Sequence, residues 1–176
     1  MIGYFINYIM SLQINNDVSL FMVSNRIRAK LLIMSHNITK KYTEDIGPDM
    51  DSPDDYWKGT FDSECIRYNI PLAYEYNFLN ILHQLNPLIN EECTLHYIKY
   101  NIKNPVYHLS EHRDGKDSST IIYLNKTSHE PDVFYVNDKQ IYNVWDCGGI
   151  TFYNNASHVG DFYKGIREVL CIFSEH

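Results

Sequence analysis

From about Cys93 onward, apolar and polar residues alternate in short runs, the period of two expected when one face of a strand is buried. Thr94–Ile102 (TLHYIKYNI) is one such run, and a turn is expected after it at Lys103–Pro105. Ser118–Asn125 (SSTIIYLN) is β-branched and aromatic throughout. Asp132–Asp138 and Lys139–Trp145 read as a hairpin turning at Asn137-Asp138-Lys139. Gly148–Asn155 (GGITFYNN) and Arg167–Phe173 (REVLCIF) complete six or seven short strands. Turn signals recur every ~8–12 residues, the spacing of a β-sandwich or jelly roll.

The first half follows another rhythm. Phe78, Leu79, Leu82 and Leu85 fall at helical intervals within a helix expected over Tyr74–Ile89, weakened at its far end by Pro87. Tyr42–Gly59 is acidic and rich in turn formers, which reads as a surface loop. Helix before sheet makes the chain α+β and mainly β. It lacks the alternating strand–helix order of a parallel sheet. One domain over residues 1–176 is expected, with N-terminal helical support to about residue 92 and a β core over about 93–174.

Composition narrows the functional classes. Of 176 residues, 44% are hydrophobic and 21% charged, which suits a buried core and disfavours long disorder. Lys and Arg number 15 against 22 Asp and Glu, a formal charge of −7 that argues against broad nucleic-acid binding. Cys65, Cys93, Cys147 and Cys171 form no CxxC pair, so neither a zinc ribbon nor a disulfide framework is indicated. Reduced thiols and a cytoplasmic location follow from that reading. The three Asn-x-Ser/Thr sequons, at Asn37, Asn125 and Asn155, mean little without a secretion signal. The apolar start MIGYFINYIMSL lacks a basic leader and is too short to span a bilayer. It reads as a packed element or as an extension upstream of a start at Met10, Met22 or Met34. The abundance of Asn, Ile and Tyr suggests an AT-rich genome such as many viruses have, which would make the location host cytoplasm.

Eight histidines weaken any argument from a single one, and His36, His83, His96, His129 and His176 show no partner pattern. The informative run is His108–Gly115 (HLSEHRDG), which supports two metal readings. In the first, His112 and Asp114 stand two apart, on one face of a strand, and His158 follows after 46 residues. Two His and one carboxylate form a facial triad with positions left open on iron. Arg167, nine residues further on, offers a guanidinium fork to a dicarboxylate. In the second, His108-x-x-Glu111-His112 is the HxxEH pattern of some zinc peptidases, which requires a helix with Glu111 as general base. Each residue also has a plainer role open to it. Asp114 fits a turn, His158 a turn cap, and Arg167 a surface pair with Glu168 or Glu175. Gly148 and Gly149 suit a bulge or tight strand entry.

Four pieces in order resemble the Fe(II)- and 2-oxoglutarate-dependent dioxygenases, in particular their prolyl-4-hydroxylase-like branch. They are His112-Arg113-Asp114, Ser119–Lys126 (STIIYLNK), His158 and Lys164–Phe173 (KGIREVLCIF), together spanning about residues 93–173. The resemblance implies a double-stranded β-helix with His112, Asp114 and His158 ligating Fe(II). It implies that Arg167 holds the distal carboxylate of 2-oxoglutarate, with Tyr123 and, more weakly, Tyr100 contributing phenols. The activity it implies is hydroxylation by O₂ with release of succinate and CO₂, with ascorbate as an auxiliary reductant. The substrate expected is a protein side chain (prolyl-like) or a small molecule rather than a nucleic acid or a membrane. Rim loops at Tyr42–Gly59 and Lys126–Asp132 would select it. Two departures argue against a prolyl substrate. KTSHEPDVFYVNDK stands where the branch usually has a Gly-Gly strand, and the gap from Asp114 to His158 is short. A metal-free jelly roll serving as a binding module is the non-enzymatic alternative.

Overall fold

The computed structural model describes residues 11–45, 63–72, 75–130, 132–141 and 148–174. Among the described residues, nine strands and two helices follow in chain order: β1 (Ser11–Asn15), β2 (Val18–Met22), α1 (Asn25–Asp45), β3 (Ser63–Pro71), α2 (Tyr76–Leu85), β4 (Thr94–His112), β5 (Ser118–Lys126), β6 (Val133–Val136), β7 (Lys139–Ile141), β8 (Gly148–Tyr153) and β9 (His158–Ser174). All strand pairings are antiparallel.

The long strands β4 and β9 belong to two layers. Their outer halves, Thr94–Ile102 against Gly165–Phe173, sit in the large layer, ordered β1-β2-β8-β5-β9-β4-β3. Their other halves, Val106–His112 against His158–Tyr163, join β6 and β7 in a small layer. The layers close on each other through aromatic contacts, with ring centroids 6.0 Å apart for Tyr100 and Phe162 and 6.5 Å for Tyr123 and Phe134. This is a mainly β jelly roll, as the alternation predicts.

Alternation also explains why the large layer has two apolar faces. Ile98, Tyr100, Tyr123, Ile150, Phe152, Val169 and Cys171 point inward between the layers. Their neighbours Leu95, Tyr97, Ile122, Leu124, Leu170 and Ile172 point outward onto α1 and α2. In α2 the stripe Phe78, Leu79, Leu82 and Leu85 is buried as its spacing requires. The helix stops because Asn86 precedes Pro87, which pushes it into an extended conformation (φ −145°, ψ 111°).

Several expectations change. No turn forms at Lys103–Pro105; β4 runs through it, and a register shift between Ile102 and Val106 absorbs the N–H that Pro105 lacks. The support before residue 92 is not only helical, since β1, β2 and β3 extend the large layer on both sides. Tyr42–Asp45 is the last turn of α1, and the rest of the acidic segment to Gly59 lies outside the described residues. The hairpin is found as β6–β7, with Asn137 and Asp138 at φ 47° and 62°, the two positive values a type I′ turn needs. Its continuation past Ile141 lies outside the described residues, as do Cys147, the side chain of Cys65, residues 1–10 of the apolar start and the side chain of Ser11. Gly148 adopts φ 97°, and a Cβ on Gly149 would meet the Phe21 ring at 2.2 Å, so this pair does serve backbone geometry. Cys93 and Cys171 are free thiols.

Candidate metal centre and anion pocket

β4 ends at His112 and β9 begins at His158, and the two residues are register partners. Asp114 follows on the loop after β4. One ligand atom from each of the three lies within 4.8 Å of the other two. His112 Nε2 is 3.6 Å from Asp114 Oδ1, and His158 Nε2 is 3.7 Å from Asp114 Oδ2. Both distances exceed a hydrogen bond. They approach the roughly 3 Å between neighbouring ligand atoms on one face of an octahedron with ~2.1 Å bonds. The three side chains are close enough to share one ion.

The ring of His158 is fixed on two sides. Its Nδ1 lies 3.1 Å from the carbonyl of Ala156, which can only accept, so Nδ1 carries the proton and Nε2 keeps its lone pair toward Asp114. Phe152 stacks on the ring at 4.4 Å and 10°. Burial holds its pKa below the ordinary imidazole range, with His112 adding to the effect and Asp114 opposing it. A neutral imidazole with a directed lone pair is what a divalent ion requires.

The loops carrying Asp114 and His158 are tied together. Arg113 Nη1 donates to the Asn155 carbonyl at 2.7 Å, and the Gly115 N–H donates to Asn155 Oδ1 at 2.8 Å. Ser157 Oγ donates to Glu111 Oε1 at 2.5 Å. Gly115 itself has φ 71°, which turns the chain immediately after Asp114. Asn155, read from the sequence only as a sequon, is thus a structural clamp. Its signal is faint beforehand because its partners are 40 and 42 residues away.

A cavity of about 320 Å³ opens beside this cluster, and its lining includes His112, Asp114 and His158 together with Tyr100, Phe162 and Arg167. Arg167 is 3% exposed. Its Nε donates to Asp132 Oδ2 at 3.0 Å and its Nη2 to the Tyr123 hydroxyl at 3.1 Å. The guanidinium lies over the Phe162 ring, 3.7 Å from its centroid. Lys126 Nζ approaches the other oxygen of Asp132 at 3.3 Å. Lys126 and Arg167 therefore share the Asp132 carboxylate, and Arg167 also lines the cavity. Tyr123 is pushed above the ordinary phenol range chiefly by burial, so it stays protonated. The two phenols divide their roles. Tyr100 lines the cavity, whereas Tyr123 is fully buried and steadies Arg167 from outside the lining. Asp132 was not legible in the sequence, because it lies 35 residues from Arg167 in a loop with no motif.

The HxxEH alternative loses its geometry. His108–His112 lies in β4, not in a helix. His108 is exposed and pairs with Asp161 at 2.7 Å, and Glu111 is engaged by Ser157. Nor does Arg167 pair with Glu168, which points to the opposite face of the sheet.

No protein-family model matches the chain, and no curated protein matches it in sequence. Solved structures do share its fold. It is similar to a prolyl-4-hydroxylase of Pseudomonas putida, with a TM-score of 0.55 and 12% identity over 90% of this chain and 91% of that one. It is similar to a prolyl hydroxylase of Trichoplax adhaerens, solved with a peptide fragment of the hypoxia inducible factor oxygen degradation domain (TM-score 0.51, 10% identity, 90% and 83% covered). A bsmA homolog of Methylobium petroleophilum PM1 is a third neighbour (TM-score 0.51, 10% identity, 87% and 86% covered). At these identities the likeness defines the jelly-roll fold.

Proposed function

We propose that the chain is an Fe(II)- and 2-oxoglutarate-dependent oxygenase that hydroxylates a C–H bond of a protein side chain or small molecule. One observation carries the reading: a His-Asp-His cluster and a buried, phenol-steadied arginine line the same cavity. Either feature alone has plainer explanations. Together they provide a metal position and, apart from it, a site for the far carboxylate of a chelating diacid.

His112, Asp114 and His158 would hold the metal, and Arg167 the distal carboxylate of the co-substrate. When bound, iron with 2-oxoglutarate supplies the oxidising chemistry, in which C–H, O₂ and 2-oxoglutarate become C–OH, succinate and CO₂. The protein's share is positional. Ala156 fixes the His158 tautomer, Asn155 holds the Asp114 loop, and Asp132 with Tyr123 presents the Arg167 guanidinium in one orientation. Phe134 and Phe162 add aromatic surface to the lining around Arg167. Solved neighbours named as prolyl hydroxylases support this reading at the level of fold.

The test is an anaerobic titration of the metal-free protein with Fe(II) and then 2-oxoglutarate, followed by the visible charge-transfer absorption of the chelate. Wild type should develop the band, and Asp114→Ala, with an unchanged far-ultraviolet circular dichroism spectrum, should not. A folded wild type that shows no band would leave a non-catalytic jelly roll as the better description.

A further inference from the structure

Buried polar side chains in this chain answer one another, with one exception. Ser19 bonds the Tyr153 hydroxyl, Ser118 bonds Ser174, and Asn86, Thr120 and Thr151 form a group of their own. Ser119 is 4% exposed, and among the described residues it is the one buried polar side chain without a hydrogen-bond partner. Its direction is set by its neighbours. Ser118 and Thr120 stand opposite Ser174 and Ile172 and spend their hydroxyls on the outer face of the large layer. Alternation therefore turns Ser119 inward, where it lines the cavity. An unanswered buried hydroxyl is destabilising in the free protein, but one that faces a cavity is answered by whatever polar group enters it.

Its place in the cavity separates it from the co-substrate. Ser119 pairs in register with Phe152 on β8 and with Phe173 on β9. Phe152 stacks on the ring of His158, so the hydroxyl stands at the metal-cluster end. Tyr123, which steadies Arg167, lies on the same face of β5 and about 13 Å further along the strand. The next step rests on the oxygenase reading above. A five-carbon diacid with its far carboxylate on Arg167 reaches only about 5 Å through its carbon–carbon bonds of ~1.5 Å. Ser119 is beyond that reach and faces the space left for the substrate.

We infer that Ser119 is a specificity-determining residue whose hydroxyl bonds a neutral polar group of the substrate, an amide or an alcohol. On its own face Ser119 is flanked by Ile121, Phe152 and Phe173, which pack in the core between the layers. An ion seated among these residues would lose its hydration and gain no counter-charge from them. A neutral carbonyl or hydroxyl needs only the one hydrogen bond that serine, both donor and acceptor, supplies. The cavity, at about 320 Å³, is near the lower end of the range for small-molecule sites and suits a small group of this kind.

The experiment loads the full chain anaerobically with Fe(II) and 2-oxoglutarate and adds three probes of one carbon skeleton: isobutyramide, isobutanol and isobutyrate. Binding is read as broadening of the probes' proton NMR signals by the paramagnetic iron. At least one neutral probe should bind, and isobutyrate should bind about tenfold more weakly. Ser119→Ala should lose about tenfold in affinity for that neutral probe while keeping the charge-transfer band. Because the substitution strands no protein partner, its urea midpoint should be no lower than that of wild type. Preference for isobutyramide identifies an amide substrate, and preference for isobutanol an alcohol. The inference is overturned if neither neutral probe binds, if isobutyrate binds as tightly, or if Ser119→Ala leaves neutral-probe affinity unchanged. A lowered urea midpoint in that variant would overturn it by showing a structural bond, and a lost band by placing Ser119 with the co-substrate. A missing band in the wild type is a different failure and removes the oxygenase reading itself.

Discussion

Arg167 and Glu168 are consecutive, both charged, and both almost wholly buried at 3% and 2% exposure, yet they face opposite sides of one strand. Arg167 points between the layers into the cavity, where Asp132 and Tyr123 hold it in place and Lys126 competes for Asp132. Glu168 points outward under α1 and is fully engaged. Tyr97 and His36 donate to its Oε1 at 2.5 and 2.8 Å, and Asn125 donates to its Oε2 at 2.6 Å. Burial alone would raise its pKa, but these donors outweigh it and hold the carboxyl below its ordinary range. Buried charge by itself does not mark a functional residue. The distinction lies in what surrounds it: Glu168 is closed off by its own protein, whereas Arg167 lines an open cavity.

The sharpest way to break that contrast is Arg167→Leu. It should weaken 2-oxoglutarate binding roughly 100-fold by removing two charged hydrogen bonds from the site. It should also cost about 3 kcal/mol of stability by leaving Asp132 short of a partner. Adding Asp132→Asn should recover about half of that stability in urea unfolding and none of the affinity in titration calorimetry. If affinity returned along with stability, Arg167 would be no more a ligand contact than Glu168 is.

Glu168→Gln is the opposite case and should cost about 1–3 kcal/mol with 2-oxoglutarate affinity unchanged. Its sign with pH is fixed by the depressed pKa. Above the ordinary carboxylate range the full stabilisation is present; as pH falls through that range the unfolded chain takes up the proton first, and stability drops. Urea midpoints measured down the acid limb should therefore fall less steeply in the Gln variant than in wild type. Parallel limbs would show that Glu168 contributes nothing through its charge.

The smallest effect belongs to His36→Ala. The imidazole is half exposed, so its pair with Glu168 is screened and its loss should lower stability by no more than about 1 kcal/mol. A loss comparable to that of Glu168→Gln would mean that α1, not the sheet, fixes the buried carboxylate.

What could be read from the sequence follows from how local its signals are. Strands β5 to β9 announce themselves because alternation acts on nearest neighbours, and the order His112, Asp114, His158, Arg167 survives in the linear chain. Helix α1 does not, because its buried positions include Arg28 and Ser35, which interrupt the apolar stripe of Leu31 and Ile38. Each finds a backbone acceptor after folding, Arg28 Nε at Val23 O and Ser35 Oγ at Leu31 O. The bend of β4 past Pro105, the clamp of Asn155 and the carboxylate of Asp132 depend on partners distant in sequence. His36 shows no local pattern because its partner, Glu168, lies 132 residues away.

That distance also governs how the site comes into being. Strand β4 meets β9 through pairs that run from Thr94 with Phe173 to His112 with His158, so every contact between them closes a long loop. Such closures are entropically costly and slow, and neither histidine gains its neighbour until they are complete. An ion held by His112, Asp114 and His158 would therefore recognise only the chain that has finished folding. Its effect would fall on the rate of unfolding more than on the rate of folding, so that loading the site would lengthen the lifetime of the native state.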